Sequence, residues 1–237
     1  MNKVYLMDCM EGMRGTPDKY YDLAVVDPPY GINFGEYKRT KKDALGLRHK
    51  SKSWDNATPN AEYFDEIKRV SKNYIVFGGN YFIELAKIET PNLKTIEQFN
   101  DYILNSRENW IFWYKQNPVP NFADGELAWS SFGHNDQIDY RYYGNLEGKT
   151  STTEKIHPTQ KPVGLYDILL QKYATKGMKI LDTHAGSMSS VISAMKNEMQ
   201  ITAYEIDSDY FNAGKKRIET YLMQGDMFNQ PKIEFIS

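Results

Sequence analysis

An α/β fold, with a mainly parallel sheet covered by helices on both faces, is what this sequence predicts. Three observations predict it. Short β-rich apolar runs alternate with helical patterns along most of the chain, which is how parallel strands joined by crossover helices read. The runs are short enough for buried strands, and the segments between them repeat their apolar residues at helical spacing. Two of the runs lead directly into acid-bearing turns, at Asp27 and Asp182.

Taken in order, residues 4–7 and 23–26 are the first two expected strands, and the second enters the loop Asp27, Pro28, Pro29, Tyr30. Thr58 is placed to cap a helix over 59–70, with Pro59 in its first turn. A strand at 74–77, a helix over 80–88 and a strand at 110–114 follow. Residues 115–153 are polar, aromatic and punctuated by Gly, with one expected strand near 137–143. This window suits either an inserted recognition module or a sheet-edge hairpin with long turns. The helix over 162–174 puts Leu165, Ile168, Leu169 and Tyr173 on one face. After a strand at 179–181, the helix over 187–199 aligns Met188, Val191, Ile192, Met195 and Met199. A strand at 200–204 and a helix over 208–222 complete the pattern, the latter with Tyr210, Phe211, Ile218, Tyr221 and Leu222 inward. The expected organisation is one domain with 1–114 and 154–237 as its two parts and 115–153 as the insertion.

Composition excludes several classes. No apolar run is long enough to span a membrane, and the N-terminus has no basic stretch followed by an apolar one, so the expected location is the cytoplasm. The single cysteine, Cys9, has no intrachain partner, and the four histidines show no zinc spacing, so no metal is expected. Net charge is −2, which argues against a polycation that coats nucleic acid. Charge is nevertheless uneven: Lys38, Arg39, Lys41, Lys42, Arg48, Lys50 and Lys52 face only Asp43, about +6 in one window. Such a segment is a solvated loop or, beside a base-binding pocket, an arm that contacts phosphates.

The loop after the second strand carries the most chemistry. Two prolines fix their own φ angles and remove two backbone donors, leaving free carbonyls beside the Asp27 carboxylate. Asp27 and the Pro28 carbonyl can accept the two N–H groups of an exocyclic amine, while Tyr30 stacks on a planar base. The alternative is a capping acid, a strand terminated by prolines and a packing tyrosine.

A second site is expected at Asp182, Thr183, His184, Ala185, Gly186, Ser187, where a strand ends in an acid, turns through small residues and opens a helix. That topology binds adenosine-containing cofactors at the carboxyl edge of a parallel sheet. Glu205, nineteen residues beyond Gly186, ends the next strand and can accept both ribose hydroxyls. Two carboxylates without a phosphate cradle suit a cationic cofactor lacking pyrophosphate, namely S-adenosylmethionine. Asp182 would orient its ammonium; otherwise Asp182 is a helix cap and Glu205 a solvated acid.

Together these segments make the chain resemble the amino-methylating DNA methyltransferases, specifically the beta-ordered N6-adenine type of phages and restriction-modification systems. Asp27 to Tyr30 match the catalytic D-P-P-Y; His157, Pro158, Thr159, Gln160, Lys161, Pro162 match H-P-T-Q-K-P; Asp182 to Ser187 match D-x-F-x-G-S. The resemblance implies a Rossmann-like class I methyltransferase fold with circularly permuted motif order. It implies that Asp8 approaches the cofactor's adenine amine and that His157, Pro158, Thr159 and Lys161 fold over its methionine end. Double-stranded DNA is the implied partner, with a second copy of the chain left open. Trp54 and Phe77 to Asn80 are similar to features of short phage-type members. The chain departs from the pattern at His184, where the family commonly has an aromatic, and at Met188, where it commonly has Gly; a helix start is expected to accommodate Met188. Members that act on cytosine N4 usually carry Ser in place of Asp27, so adenine N6 is the expected target, with cytosine N4, RNA adenine or a silent DNA-binding protein as alternatives.

Overall fold

A computed structural model describes residues 1–32, 55–89, 95–105, 109–116, 123–141, 156–224 and 231–237. The basic window 38–52 and Trp54 lie outside the described residues, as do 117–122 and 142–155.

The strands are β1 (Asn2–Leu6), β2 (Tyr21–Val26), β3 (Ser71–Phe77), β4 (Trp110–Tyr114), β5 (Gly125–Ser130), β6 (Asp136–Asp139), β7 (Lys179–Asp182), β8 (Gln200–Glu205) and β9 (Ile233–Ile236). They form one sheet in the order β6-β4-β5-β3-β2-β7-β8-β1-β9. Every pairing is parallel except those of β5, which runs antiparallel between β3 and β4. The helices are α1 (Cys9–Arg14), α2 (Ala61–Val70), α3 (Ile83–Glu89), α4 (Ile96–Asn105), α5 (Val163–Tyr173), α6 (Ser189–Lys196) and α7 (Ser208–Met223).

Strand alternation sorts the core into two layers. Leu23 and Val25 of β2 face the layer that contains Leu165, Leu169, Val191, Met195, Phe211 and Ile218 of α5, α6 and α7. Ala24 and Val26 face Met13, Phe64, Ile67 and Leu85 of α1, α2 and α3. Residues 23–26 are all buried because β2 is central and covered on both sides, which is why they read as an unbroken apolar run.

The expected two-sided, mainly parallel sheet is what the chain forms. Several details differ. Asn60, not Thr58, caps α2, its side chain accepting from Tyr63 N at 3.1 Å. The segment 80–88 splits into a 3₁₀ turn, Gly79–Tyr81, and α3. The helix expected over 187–199 is shorter, Ser189–Lys196, because residue 188 is in the left-handed region and Glu198 at φ 56 breaks the far end. Part of the 115–153 window is built into the sheet as β5 and β6. The elements not anticipated are α1, α4, β5 and β9.

The topology contains one switch point. After β2 the chain continues to its neighbour β3 on one side, and after β7 to its neighbour β8 on the other. Ala24 pairs with Leu181, so the ends of β2 and β7 leave the sheet side by side. A crevice at the carboxyl ends of two such strands is where open α/β sheets bind ligands.

Candidate functional site

At the end of β2 the Asp27 carboxylate is held on both oxygens. Tyr30 donates its hydroxyl to Oδ1 at 2.7 Å, and the Lys161 ammonium meets Oδ2 at 2.6 Å. Prolines 28 and 29 supply no amide donors, and the next two amides, of Tyr30 and Gly31, both donate to Asp55 Oδ1 at 2.7 and 2.9 Å. Asp55 is buried, so the loop is fixed from beneath by a carboxylate and at its tip by the Tyr30–Asp27 bond.

The Tyr30 ring stacks on Tyr81 at 5.0 Å and 10°, and meets Phe82 edge-on at 5.9 Å. Tyr81 is the exposed member of the pair. Beneath the ring lies Gly78, at φ +68; a Cβ there would come within 2.4 Å of Tyr30 Cε1. Only glycine provides both the left-handed backbone and the space. Burial, with Asp27 and Glu126 adding to it, keeps the Tyr30 phenol well above its ordinary pKa, so it stays a hydrogen-bond donor.

Across the crevice, Asp182 ends β7 and is buried. Its Oδ1 accepts from His184 N at 3.0 Å and its Oδ2 from the Ser190 hydroxyl, so it ties the turn to the first turn of α6. The tie to α6 runs through a side chain rather than an amide of its first turn, so Asp182 braces the turn and does not cap the helix. Desolvation pushes its carboxyl up to about 7. His184 lies against Thr183 Oγ1 at 2.9 Å, which is also 2.6 Å from the Tyr63 hydroxyl of α2. Burial lowers the imidazole to about 4, so it is neutral.

Glu205, at the end of β8, is buried and oriented by two backbone amides. Gly186 N donates to Oε2 at 2.7 Å and Asp207 N to Oε1 at 2.9 Å. The Ile206 amide also acts on this carboxylate, which has about four acceptor sites and so keeps capacity for a further donor such as a ribose hydroxyl. Burial raises its pKa despite those amides. Ala185 N donates to Tyr204 O at 2.8 Å, which presses the turn onto β8. Leu6 of β1 is opposite Glu205, and Asp8, two residues further on, caps α1 by accepting from Met10 N at 2.8 Å. Asp8 and Glu205 therefore stand at the carboxyl ends of neighbouring strands. The Cys9 thiol beside Asp8 is pushed up to about 12 by burial, then by Asp8, and is inert as a nucleophile.

Met188 is the main correction to the expected turn. It occupies the left-handed region at φ 60 in the N-cap position of α6, without a side-chain cap, rather than a tolerant helical one. Its side chain is fully buried and fills the space over Gly214 of α7, where a Cβ would lie 2.7 Å from Met188 Cγ. Arg217, also on α7 and buried, donates to Ser187 O at 2.6 Å and Ser189 Oγ at 2.9 Å, bracing the same backbone.

The segment from His157 to Pro162 bridges the two loops. The His157 ring packs edge-on to Tyr210 at 4.3 Å and lies 3.7 Å from where a Cβ on Gly186 would be. Thr159 Oγ1 is 3.1 Å from His157 Nδ1, fixing the ring, and Pro158 lies between them. At the other end, Lys161 reaches Asp27 and, at 3.4 Å, Glu126 of β5. Asp55, Glu126 and Tyr63 are site residues that the sequence does not reveal. Each acts through a tertiary contact, and none carries a local signature. Among the described residues no group of His, Cys, Asp and Glu is placed to hold a metal ion, and no helix is long and apolar enough to cross a membrane.

A topological switch point flanked by two acid-bearing turns is where α/β proteins of the Rossmann-like kind bind nucleoside cofactors. A family model described as DNA methylase, of the N6/N4 type, matches residues 76–216 of the 237-residue chain. The chain belongs to the N6/N4 DNA methylase family. It is 23% identical over 265 residues to the type II methyltransferase M.HinfI of Haemophilus influenzae, covering 92% of this chain and 68% of that one. Among solved structures, it is similar to TTHA0409 of Thermus thermophilus in complex with S-adenosyl-L-methionine, at TM-score 0.55 and 15% identity over 100% of both chains. The cytosine-N4-specific PvuII DNA methyltransferase shares the fold at TM-score 0.52 and 15% identity, covering 92% of this chain and 86% of that one.

Proposed function

We propose that the chain methylates the N6 amine of adenine in double-stranded DNA, with S-adenosylmethionine as methyl donor. The observation that carries this reading is the position of the Asp27 loop and the Gly186–Glu205 pair on adjoining strand ends, spanned by one segment from His157 to Lys161. Glu205 fits the donor's ribose because backbone amides fix its carboxylate while leaving it acceptor capacity. Asp8, on the neighbouring strand end, takes the adenine amine of the donor, and His157, Pro158, Thr159, His184, Ala185, Gly186 and Ser187 surround the remainder. Asp182 acts indirectly, by holding the turn. When bound, the cofactor supplies an electrophilic methyl group on a sulfonium.

The acceptor loop does the rest. Adenine N6 is a poor nucleophile because its lone pair is delocalised into the ring. A duplex base must also be extruded, at a cost of a few kcal/mol. Asp27 and the Pro28 carbonyl accept the two N–H groups of the amine, which lets the nitrogen pyramidalise. Pro29 holds the backbone, and Tyr30 with the exposed Tyr81 offers a stacking surface. Asp27 stabilises positive charge as it develops on nitrogen and takes the surplus proton from the methylated amine. The basic residues Lys38, Arg39, Lys41, Lys42, Arg48, Lys50 and Lys52 are assigned to phosphates, and segments within 115–153 to base edges.

Asp27→Asn keeps the shape of the acceptor and is expected to lower kcat by about 10²–10³-fold. Cofactor affinity by calorimetry should be unchanged. Equal loss of both would make Asp27 a scaffold residue. Cytosine N4 is the second reading, favoured by the shared fold of the PvuII enzyme. The acid at position 27 favours adenine.

A further inference from the structure

We infer that Lys161 is a positioning residue for the Asp27 carboxylate, held in place by a string of alternating charge that runs Lys115, Glu126, Lys161, Asp27. The inference rests on the proposed methyl transfer and deepens it. It gives Lys161 a role at the acceptor loop instead of at the cofactor's methionine end.

The string crosses four segments of the chain. Lys115 follows β4 and pairs with Glu126 Oε1 at the start of the antiparallel β5. Among the described strands only β5 runs in reverse, so its first residues arrive at the same sheet edge as the ends of β2 and β4. Glu126 Oε2 stands 3.4 Å from Lys161 Nζ, which is 2.6 Å from Asp27 Oδ2 and 3.3 Å from the Tyr30 hydroxyl. The Phe77 ring lies 4.6 Å beneath the ammonium, and the Lys161 side chain is only 7% exposed.

Burial works against the Lys161 charge, but Asp27 and Glu126 together outweigh it and hold its pKa above the ordinary lysine value. Burial likewise works against Glu126, and Lys161 and Lys115 keep it below the ordinary value. Lys161 and Glu126 are thus both charged at neutral pH. Such an arrangement is a poor way to gain stability, since desolvation commonly cancels the Coulombic gain of a buried pair. It is a good way to fix one oxygen of a carboxylate. With Oδ2 on Lys161, the plane of Asp27 is set and Oδ1 is directed, through its second lone pair, toward an incoming N–H. Glu126 offsets the lysine's charge, so that Asp27 keeps its attraction for a nitrogen that becomes positive.

The test combines kinetics with a measurement that needs no turnover. Glu126→Gln, which retains shape, should lower kcat by about tenfold, a barrier increase near 1.4 kcal/mol. Lys161→Met should lower kcat by about 100-fold, the scale of a misplaced reacting group, with partial recovery in Lys161→Arg. Cofactor affinity by calorimetry should stay within about twofold of the parent in all three, since none of these changes touches Glu205. Independently, the 13Cε resonance of Lys161, titrated by NMR, should report an ammonium pKa that falls in Glu126→Gln and in Asp27→Asn. Loss of cofactor affinity in Lys161→Met with an unchanged rate at saturating cofactor would overturn the inference in favour of a cofactor clamp. So would a Lys161 titration indifferent to Glu126. If the parent protein transferred no methyl to DNA, the proposed function would fail. The NMR titration would still decide whether Asp27 and Glu126 hold Lys161.

Discussion

Asp182 and His184 sit two residues apart on one turn, and burial acts on them in opposite senses. The Asp182 carboxyl rises from 3.8 to about 7, so between those values the folded chain holds a proton that the unfolded chain has lost. Stability therefore falls as pH rises through that window. The His184 imidazole drops from 6.5 to about 4, so there the unfolded chain holds the extra proton and stability rises with pH. Each acts with a limiting slope of about 1.4 kcal/mol per pH unit, and from about pH 4 to 6.5 the two cancel. Substitution unmasks them. Relative to the parent, His184→Phe should lose stability steadily as pH rises from 4 to 6.5, and Asp182→Asn should gain it. Denaturant midpoints measured at several pH values check both. Parallel curves for parent and variants would mean that neither group is buried as described.

At the scale of elements, a strained residue at the start of one helix is accommodated by a glycine on another. A left-handed residue with a Cβ costs roughly 1–2 kcal/mol, and Met188 bears that strain at the start of α6. Gly214 of α7 leaves the space its side chain fills. Met188→Gly releases the strain but empties a buried site, and loss of a buried Met side chain costs about 2–5 kcal/mol. Net destabilisation is the expected outcome. Gly214→Ala should destabilise the parent by collision with Met188, yet be nearly neutral in the Met188→Gly background. A double-mutant cycle of thermal or denaturant stabilities would show coupling of about 1 kcal/mol or more; strict additivity would contradict the packing. The sequence reveals the departure at 188 but not its partner, because the two lie on different helices and meet only through the fold. The same limit hides Asp55, which holds the amides of Tyr30 and Gly31 from 25 and 24 residues away along the chain, and Glu126, which meets Lys161 only where two separate segments converge. Strands such as β2 and β7 are legible because a central strand needs an apolar run. By contrast, β5 begins with Gly125 and Glu126, and β9 is four half-buried or exposed residues at the sheet edge. Six-residue α1 is too short to show a period.

At the scale of the whole molecule, the proposed function depends on two distant stretches meeting at one sheet edge. Asp27 and Asp182 lie far apart in sequence, and β2 and β7 become neighbours only because β1 is placed beyond β8. The sequence motifs name the chemistry, and the strand order brings it together. Methylation of the adenine amine at this edge is decided by transfer of labelled methyl from S-adenosylmethionine to unmethylated duplex DNA of varied sequence, followed by digestion and nucleoside mass spectrometry. Label is expected in N6-methyladenine, strongly reduced with Asp27→Asn. Label in N4-methylcytosine would contradict the assignment of the base, and no labelled nucleoside at all would contradict the assignment of the reaction.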